Sequence, residues 1–236
     1  MEALNGKVAY ITGGSKGIGL GVAKELVKQG MYVAVSGRGA SDLENAVAEL
    51  GTEKAMGIIS DVTRLEDEES AVEKIIKRWG HLDVVVANAG VGHFAPIDKL
   101  KTEAWYQMMN TNLNGVYHTL MASMDALKAS KGYYITIASL AGTNFFAQGA
   151  GYNATKFGVV GFTQAAMLDL RPHGIKVSTI MPGSVSTHFN NHSPSPKDAW
   201  KIQPGDIGHL VRDLLQMHPR TLPSKIEVRP TRPDLK

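Results

Sequence analysis

The chain has 236 residues, of which 43% are apolar and 20% charged, with a net charge of +3 and no cysteine. The missing thiols exclude disulfides, thiolate catalysis and cysteine-bound zinc. So mild a basic excess, without a block of like charges, argues against nucleic acid or a membrane surface as a partner.

The opening MEALNGKVAYITGG has no basic start followed by a long apolar stretch, and no run in the chain is long enough to span a bilayer. A cytoplasmic protein without signal peptide or membrane span is expected. The first strand is KVAYIT (7–12), followed by TGGSKGIGLGVAKEL, where Gly13, Gly17 and Gly19 read G-x-x-x-G-x-G at the start of a helix over 17–29. Such a turn frees backbone N–H groups at a helix N-terminus, where the dipole favours a phosphate. It is no Walker loop, because Leu20 stands where that loop needs lysine.

The second strand, YVAVS (32–36), runs into SGRG. A carboxylate at that tip would grip the ribose 2′-hydroxyl of NAD, whereas an arginine accommodates the 2′-phosphate of NADP. Arg38 is at the tip, Lys16 is in the glycine turn, and the tip itself carries no acid. NADP(H) is therefore expected in preference to NAD(H). A helix over 41–50, a strand AMGIIS (55–60), a helix over 64–79 and a strand DVVVAN (83–88) follow. Next come a long helix over 101–130, a strand YYITIA (133–138), a helix over 150–171, a strand KVSTIM (176–181), a helix over 204–217 and a strand KIEVRP (225–230). Strands apolar on both faces, alternating with helices, predict an α/β fold: a parallel sheet of about seven strands with helices on both faces.

Between the last two of these helices, SVSTHFNNHSPSPKDAWKIQP (184–204) lacks periodicity and lies beyond a strand's carboxyl end, so a substrate lid is expected there. Its shortness suggests an open cleft. The eight histidines lack metal-ligand spacing, so no metal is expected, and His93 and His188 are the two placed to line a substrate cleft. No G-x-S-x-G elbow exists, which argues against a serine hydrolase.

The stretch GAGYNATKFGVV (149–160) sets Tyr152 and Lys156 one helical turn apart on one face. A positive ammonium near a phenol stabilises phenolate, so a lowered tyrosine pKa and a usable proton donor are expected. With the residues in this order, the chain resembles the short-chain dehydrogenase/reductase family over nearly its whole length. The family's T-G-x-x-x-G-I-G is Thr12 to Gly19, its N-A-G is Asn88-Ala89-Gly90, and its helix asparagine is best matched by Asn112 in MNTNLNG. Ser139 ends the fifth strand in ITIASLAG, Y-x-x-x-K is Tyr152 to Lys156, and P-G-x-V-x-T is Pro182, Gly183, Val185 and Thr187. Asp61-Val62 resembles the pair that the family sets against the adenine.

The resemblance implies a single doubly wound Rossmann-type domain over 1–236, a nicotinamide cofactor, and hydride exchange between a carbonyl and an alcohol. It implies Asn112, Ser139, Tyr152 and Lys156 as catalytic, with Asn112 holding a water against Lys156. Cofactor contacts would come from Gly13, Ser15, Lys16, Gly17, Ile18, Gly19, Arg38, Asp61, Val62, Asn88, Ala89 and Gly90. Further contacts would come from Tyr152, Lys156, Pro182, Gly183, Val185 and Thr187. It also implies a homo-oligomer, tetramer or dimer, in keeping with apolar residues on more than one face of the two longest helices. The ending LPSKIEVRPTRPDLK lacks the glycine-rich DGG of acyl-carrier-protein ketoreductases and leans toward small-carbonyl or pterin-type reductases.

Overall fold

Short, almost wholly apolar runs make the strands: β1 (Val8–Thr12), β2 (Tyr32–Gly37), β3 (Ala55–Ile59), β4 (Val84–Ala87), β5 (Tyr133–Ile137), β6 (Lys176–Pro182) and β7 (Lys225–Val228). In this computed structural model, which describes residues 4–232, they form one sheet in the order β3-β2-β1-β4-β5-β6-β7. Every pairing is parallel. Residues 1–3 and 233–236, the ends of the expected domain, lie outside the described residues. The central strands β1, β4 and β5 are buried throughout, as a sheet covered on both faces requires, while the edge strand β7 is nowhere fully buried.

The helices are α1 (Gly17–Lys28), α2 (Ala40–Leu50), α3 (Leu65–Trp79), α4 (Thr102–Met108), α5 (Gly115–Ser130), α6 (Ala150–Leu170) and α7 (Pro204–Gln216). Their ends follow local chemistry. Helix α3 begins with Glu66, Asp67 and Glu68 and finishes with Lys77 and Arg78 before a left-handed Gly80, matching both ends of the helix dipole. Helix α7 starts with Pro204 in its first turn behind a capping box between Gln203 and Asp206.

The apolar residues divide into two clusters, one on each face of the sheet. On one face, Val22 and Leu26 of α1 and Ile207, Val211 and Leu214 of α7 pack over Ile11, Val33 and Ile135. On the other, Ala71 and Ile75 of α3, Val116 and Leu120 of α5, and Val159 and Met167 of α6 pack over Tyr10, Val85 and Tyr134. Helix α3 also carries a buried carboxyl. Glu68 accepts hydrogen bonds from the hydroxyls of Tyr10, Ser60 and Thr119, which offset part of the burial that pushes its pKa up.

The sequence predicts one helix over 101–130, and here the chain departs from it. Residues Met109–Asn114 form a π-helical segment between α4 and α5. The wider turn rotates Asn112 to a fully buried position, and such bulges are frequent at functional sites.

Candidate active site

The chain runs from β1 outward to β3, then returns to β4 on the other side of β1. At that reversal two loops diverge and leave a crevice beyond the strand ends, the usual ligand position in an open α/β sheet. The glycine turn lines one side of it. Gly13 and Gly17 have φ of +62° and +58°, in the left-handed region where a side chain is strained. A Cβ on Gly19 would lie 2.6 Å from both Asn88 Nδ2 and the Gly13 carbonyl, so the packing leaves room for hydrogen only.

Asn88 stitches this turn together through its Nδ2. Its Nδ2 donates to the carbonyls of Thr12 and Gly13 at 2.9 and 3.1 Å. The backbone N–H groups of Asn88 and Ala89 both donate to Thr12 Oγ1. The segment after β6 passes by the same turn, where a Cβ on Gly17 would lie 3.4 Å from the Thr187 side chain. Gly183 donates to Val228, and Val185 bridges to Ile202.

Beside the second-strand tip, Ser15 approaches Gly37 and Arg38 is exposed. The sequence places no acid at that tip, yet the fold supplies one nearby. Asp42, in the first turn of α2, lies 3.5 Å from Lys16 Nζ, both side chains more than half exposed. Lys16 is thus shared with a carboxylate, which leaves Arg38 as the clearer cation for a 2′-phosphate. At the neighbouring strand end, Asp61 Oδ1 accepts from Thr63 N–H, and the Val62 carbonyl is 2.9 Å from His118 Nδ1. These bonds fix the turn expected to meet the adenine. Ile18 packs against the core.

On the other side of the crevice, α6 brings Tyr152 and Lys156 to the carboxyl end of β5, where Ser139 follows the strand. The Ser139 hydroxyl donates to the Pro182 carbonyl at 3.5 Å and accepts from Ala141 N–H at 3.1 Å, and it lies near enough to the Tyr152 phenol to act on its pKa. Lys156 is buried, with Nζ donating to the Ile137 carbonyl at 3.0 Å, one of the three bonds an ammonium can give. Its Nζ lies 5.7 Å from the centre of the Tyr152 ring.

The expected lowering of the tyrosine pKa is not what the unliganded chain shows. Burial pushes the Tyr152 phenol up to about 12, with the nearby Ser139 hydroxyl opposing, and burial brings the Lys156 ammonium down to about 8. The reason is geometric: the ammonium lies against the ring and bonds a backbone carbonyl, while apolar rings crowd the phenol. Phe94 stands edge-on to Tyr152 at 5.5 Å and Phe189 is tilted over it at 5.7 Å. Phe189 belongs to segment 184–204, which folds back over Tyr152.

Asn112 is held by its side chain on both sides. Its Oδ1 accepts from Val91 N–H at 2.8 Å, and its Nδ2 donates to the Val91 carbonyl and Thr155 Oγ1. These bonds anchor the loop after β4 to α6. Asn112 and Lys156 do meet across Gly90, where a Cβ would be 3.4 Å from Asn112 Oδ1 and 3.9 Å from Lys156 Nζ.

Sequence reasoning missed Asn153. This buried amide donates to the carbonyls of Ala141 and Asn144 at 2.6 and 2.7 Å, tying the loop that carries Ser139 to the helix that carries Tyr152. Its only signal was its place next to Tyr152 in Y-N-A-T-K. His93 is near the cleft with Nε2 2.8 Å from Gln107 Oε1. An open groove of about 850 Å³ between α3 and α5, lined by Val72, Ile76, Ala122 and Ala126 among others, is remote from these groups and has none of their chemistry. No helix among the described residues is long and apolar enough to cross a membrane.

Known proteins are similar to this chain along almost its entire length. An uncharacterized oxidoreductase of Staphylococcus haemolyticus is 31% identical over 231 residues, covering 98% of this chain and all of that one. An alcohol dehydrogenase from the archaeon Thermococcus sibiricus, complexed with 5-hydroxy-NADP, superposes with a TM-score of 0.90 at 31% identity, covering 97% of this chain and 99% of that one. A 3-ketoacyl-(acyl-carrier-protein) reductase from Brucella melitensis, complexed with NADH, gives 0.89 at 26% identity, covering 97% and 98%. The family model described as short chain dehydrogenase matches residues 7–198, the span that holds the glycine turn, Ser139, Tyr152 and Lys156. The chain therefore belongs to the short-chain dehydrogenase/reductase family and is an oxidoreductase acting on a carbonyl or alcohol.

Proposed function

We propose that this chain is an NADP(H)-dependent reductase of ketones or aldehydes, and in reverse a dehydrogenase of secondary alcohols. The observation that carries this reading is the meeting of Ser139, Tyr152 and Lys156 at the end of β5, facing the glycine turn across one crevice.

The residues fit a dinucleotide. Gly17 and Gly19 begin α1 without side chains, which suits close approach of a pyrophosphate to the backbone N–H groups of its first turn. Gly13, Ser15, Gly17, Ile18 and Gly19 would hold that part. Asp61 and Val62 would meet the adenine, and Ala89, Gly90, Pro182, Gly183, Val185 and Thr187 the nicotinamide half. Arg38, with Lys16 beside it, favours a 2′-phosphate, and the Thermococcus relative's 5-hydroxy-NADP complex points the same way. The Brucella relative's NADH keeps the comparison of the two cofactors necessary.

A reduced nicotinamide bound there supplies a hydride. Tyr152 gives its proton to the substrate oxygen as negative charge develops on it. Ser139 donates a hydrogen bond to the same oxygen. Lys156 faces the phenolate left behind and has N–H groups to spare for a ribose hydroxyl. Asn112 acts by holding Val91 and Thr155, which fixes the floor between Gly90 and Lys156. In the resting chain the phenol is fully protonated at neutral pH, the form that reduction needs.

The proposed unit is one domain over 1–236 with 184–204 as its lid, working in the cytoplasm as a homo-oligomer. Exposed Tyr117, Met121, Phe157 and Leu168 on α5 and α6 support self-association. The test is NADPH consumption, followed by absorbance, against simple ketones, aldehydes, 3-oxoacyl thioesters and pterins. Turnover of simple carbonyls is expected. Tight NADPH binding with no turnover of any of them would instead favour a non-catalytic sensor.

A further inference from the structure

The wall over Tyr152 is made of aromatic rings from three separate segments. Phe94 comes from the loop after β4, Phe146 from the loop before α6, and Phe189 from the lid. They pack on one another and on Tyr152 edge-on or tilted: Phe94–Tyr152 at 5.5 Å and 75°, Phe94–Phe146 at 5.7 Å and 62°, Tyr152–Phe189 at 5.7 Å and 54°, and Phe94–Phe189 at 6.5 Å and 61°. These are the favourable geometries of aromatic pairs. Among the described residues no ammonium or guanidinium lies over Phe94, Phe146 or Phe189, and Lys156 alone faces the Tyr152 ring.

The rings differ in how they are held. Phe94 is flanked by two backbone ties, His93 N–H to Met108 Sδ and Ala95 N–H to the Gln148 carbonyl. Phe146 is seated on Gly149, where a Cβ would come within 2.5 Å of the ring. Phe189 reaches across to Gly92, where a Cβ would be 2.5 Å from its Cζ, yet its own backbone is a single 3₁₀ turn. That turn contains Asn190 at φ +55°, a non-glycine residue in the left-handed region. Downstream the lid is pinned: Asp198 accepts from Ser195 N–H at 3.0 Å and pairs with His192 at 2.7 Å and with Lys201. The turn that carries Phe189 is tied to itself, Phe189 N–H to Thr187 Oγ1 at 3.2 Å and His192 N–H to the Phe189 carbonyl at 3.3 Å, and the Phe189 ring is 37% exposed.

From this we infer that the site selects flat, uncharged aryl carbonyls, with Phe94 as a fixed stacking wall and Phe189 as a plug that occupies the place of the substrate ring until displaced. The inference deepens the proposed carbonyl reductase reading and rests on it for the position of the carbonyl oxygen, next to Tyr152 and Ser139. An aryl group that displaces Phe189 restores the ring-on-ring packing that opening breaks, whereas a saturated group of the same size does not. Aromatic pairs contribute about 0.5–1.5 kcal/mol beyond their area, so the discrimination amounts to roughly 2- to 10-fold.

The experiment uses acetophenone and cyclohexyl methyl ketone, two ketones of similar size. Affinity for the intact chain holding NADP+ is measured by titration calorimetry, where no turnover intervenes, and NADPH-dependent rates are measured separately. Acetophenone is expected to bind several-fold tighter, with the preference lost in Phe94→Leu. In Phe189→Ala both ketones should bind faster by stopped flow, because the plug is gone. Equal affinities in the unaltered chain, or an undiminished preference in Phe94→Leu, would overturn the inference. An aryl preference in binding without NADPH oxidation would uphold the ring site and overturn the reductase reading, so the two failures are distinct.

Discussion

The two sides of the crevice are built on opposite principles. The nucleotide side is backbone and small residues: Gly13, Gly17 and Gly19, with Asn88 and Thr12 bonding main-chain groups to hold the turn. The substrate side is bulk, with Phe94, Phe146 and Phe189 crowded on Tyr152. The first suits a ligand common to many enzymes, which needs close backbone approach. The second can change ring by ring without disturbing the first, and it is where the proposed aryl selectivity would reside.

That contrast predicts a graded set of effects. The largest belongs to Lys156, which serves both sides. Lys156→Ala should lower kcat by about 10²- to 10⁴-fold, as measured by steady-state NADPH oxidation. On the nucleotide side, Gly19→Ala should raise the NADPH Kd on the order of 100-fold in calorimetric titration, since its Cβ would meet Asn88 and the Gly13 carbonyl. Unchanged affinity would show that the tight turn is not a ligand cradle. Arg38→Asp comes next, with about a 10-fold loss for NADPH and little for NADH; equal losses would remove the basis for preferring NADP(H).

The pH dependence of the rate is gentler. The Lys156 ammonium is charged below about 8 and neutral above it, so support for the developing phenolate is present at neutral pH and fades as pH rises through about 8. The kcat/KM for reduction should decline on that alkaline limb. Lys156→Arg, which keeps its charge, should move the limb upward even though it lowers the rate. The smallest effect is expected in the lid. Asp198→Asn removes the carboxylate held well below the usual range by Lys201 and His192. It should lower the thermal midpoint slightly at neutral pH, with the difference vanishing as pH falls below the ordinary aspartate range.

The same contrast explains what the sequence makes legible. Strand and helix positions follow from apolar runs and periodicity, so all seven strands fall within a residue or two of their expected ends. The glycine turn, Ser139, Tyr152 and Lys156 are readable because each sits at a strand end or on a fixed helical spacing. The π-helical turn at Asn112 is not, because MNTNLNG carries an ordinary helical pattern and the wider turn answers to Val91 and Thr155 far along the chain. Asp42 beside Lys16 escapes for a similar reason: it belongs to the first turn of the next helix, not to the strand tip. The direction of the Tyr152 shift is misjudged because spacing gives proximity to Lys156 but not burial by Phe94 and Phe189. Rings from three loops meet only in space.

The central claim is that Tyr152 hands a proton to the substrate oxygen, and Tyr152→Phe tests it most directly when NADPH affinity and kcat are measured on the same sample. The account predicts a Kd close to that of the unaltered chain and a kcat reduced by about 10²-fold or more. A kcat near that of the unaltered chain would contradict it.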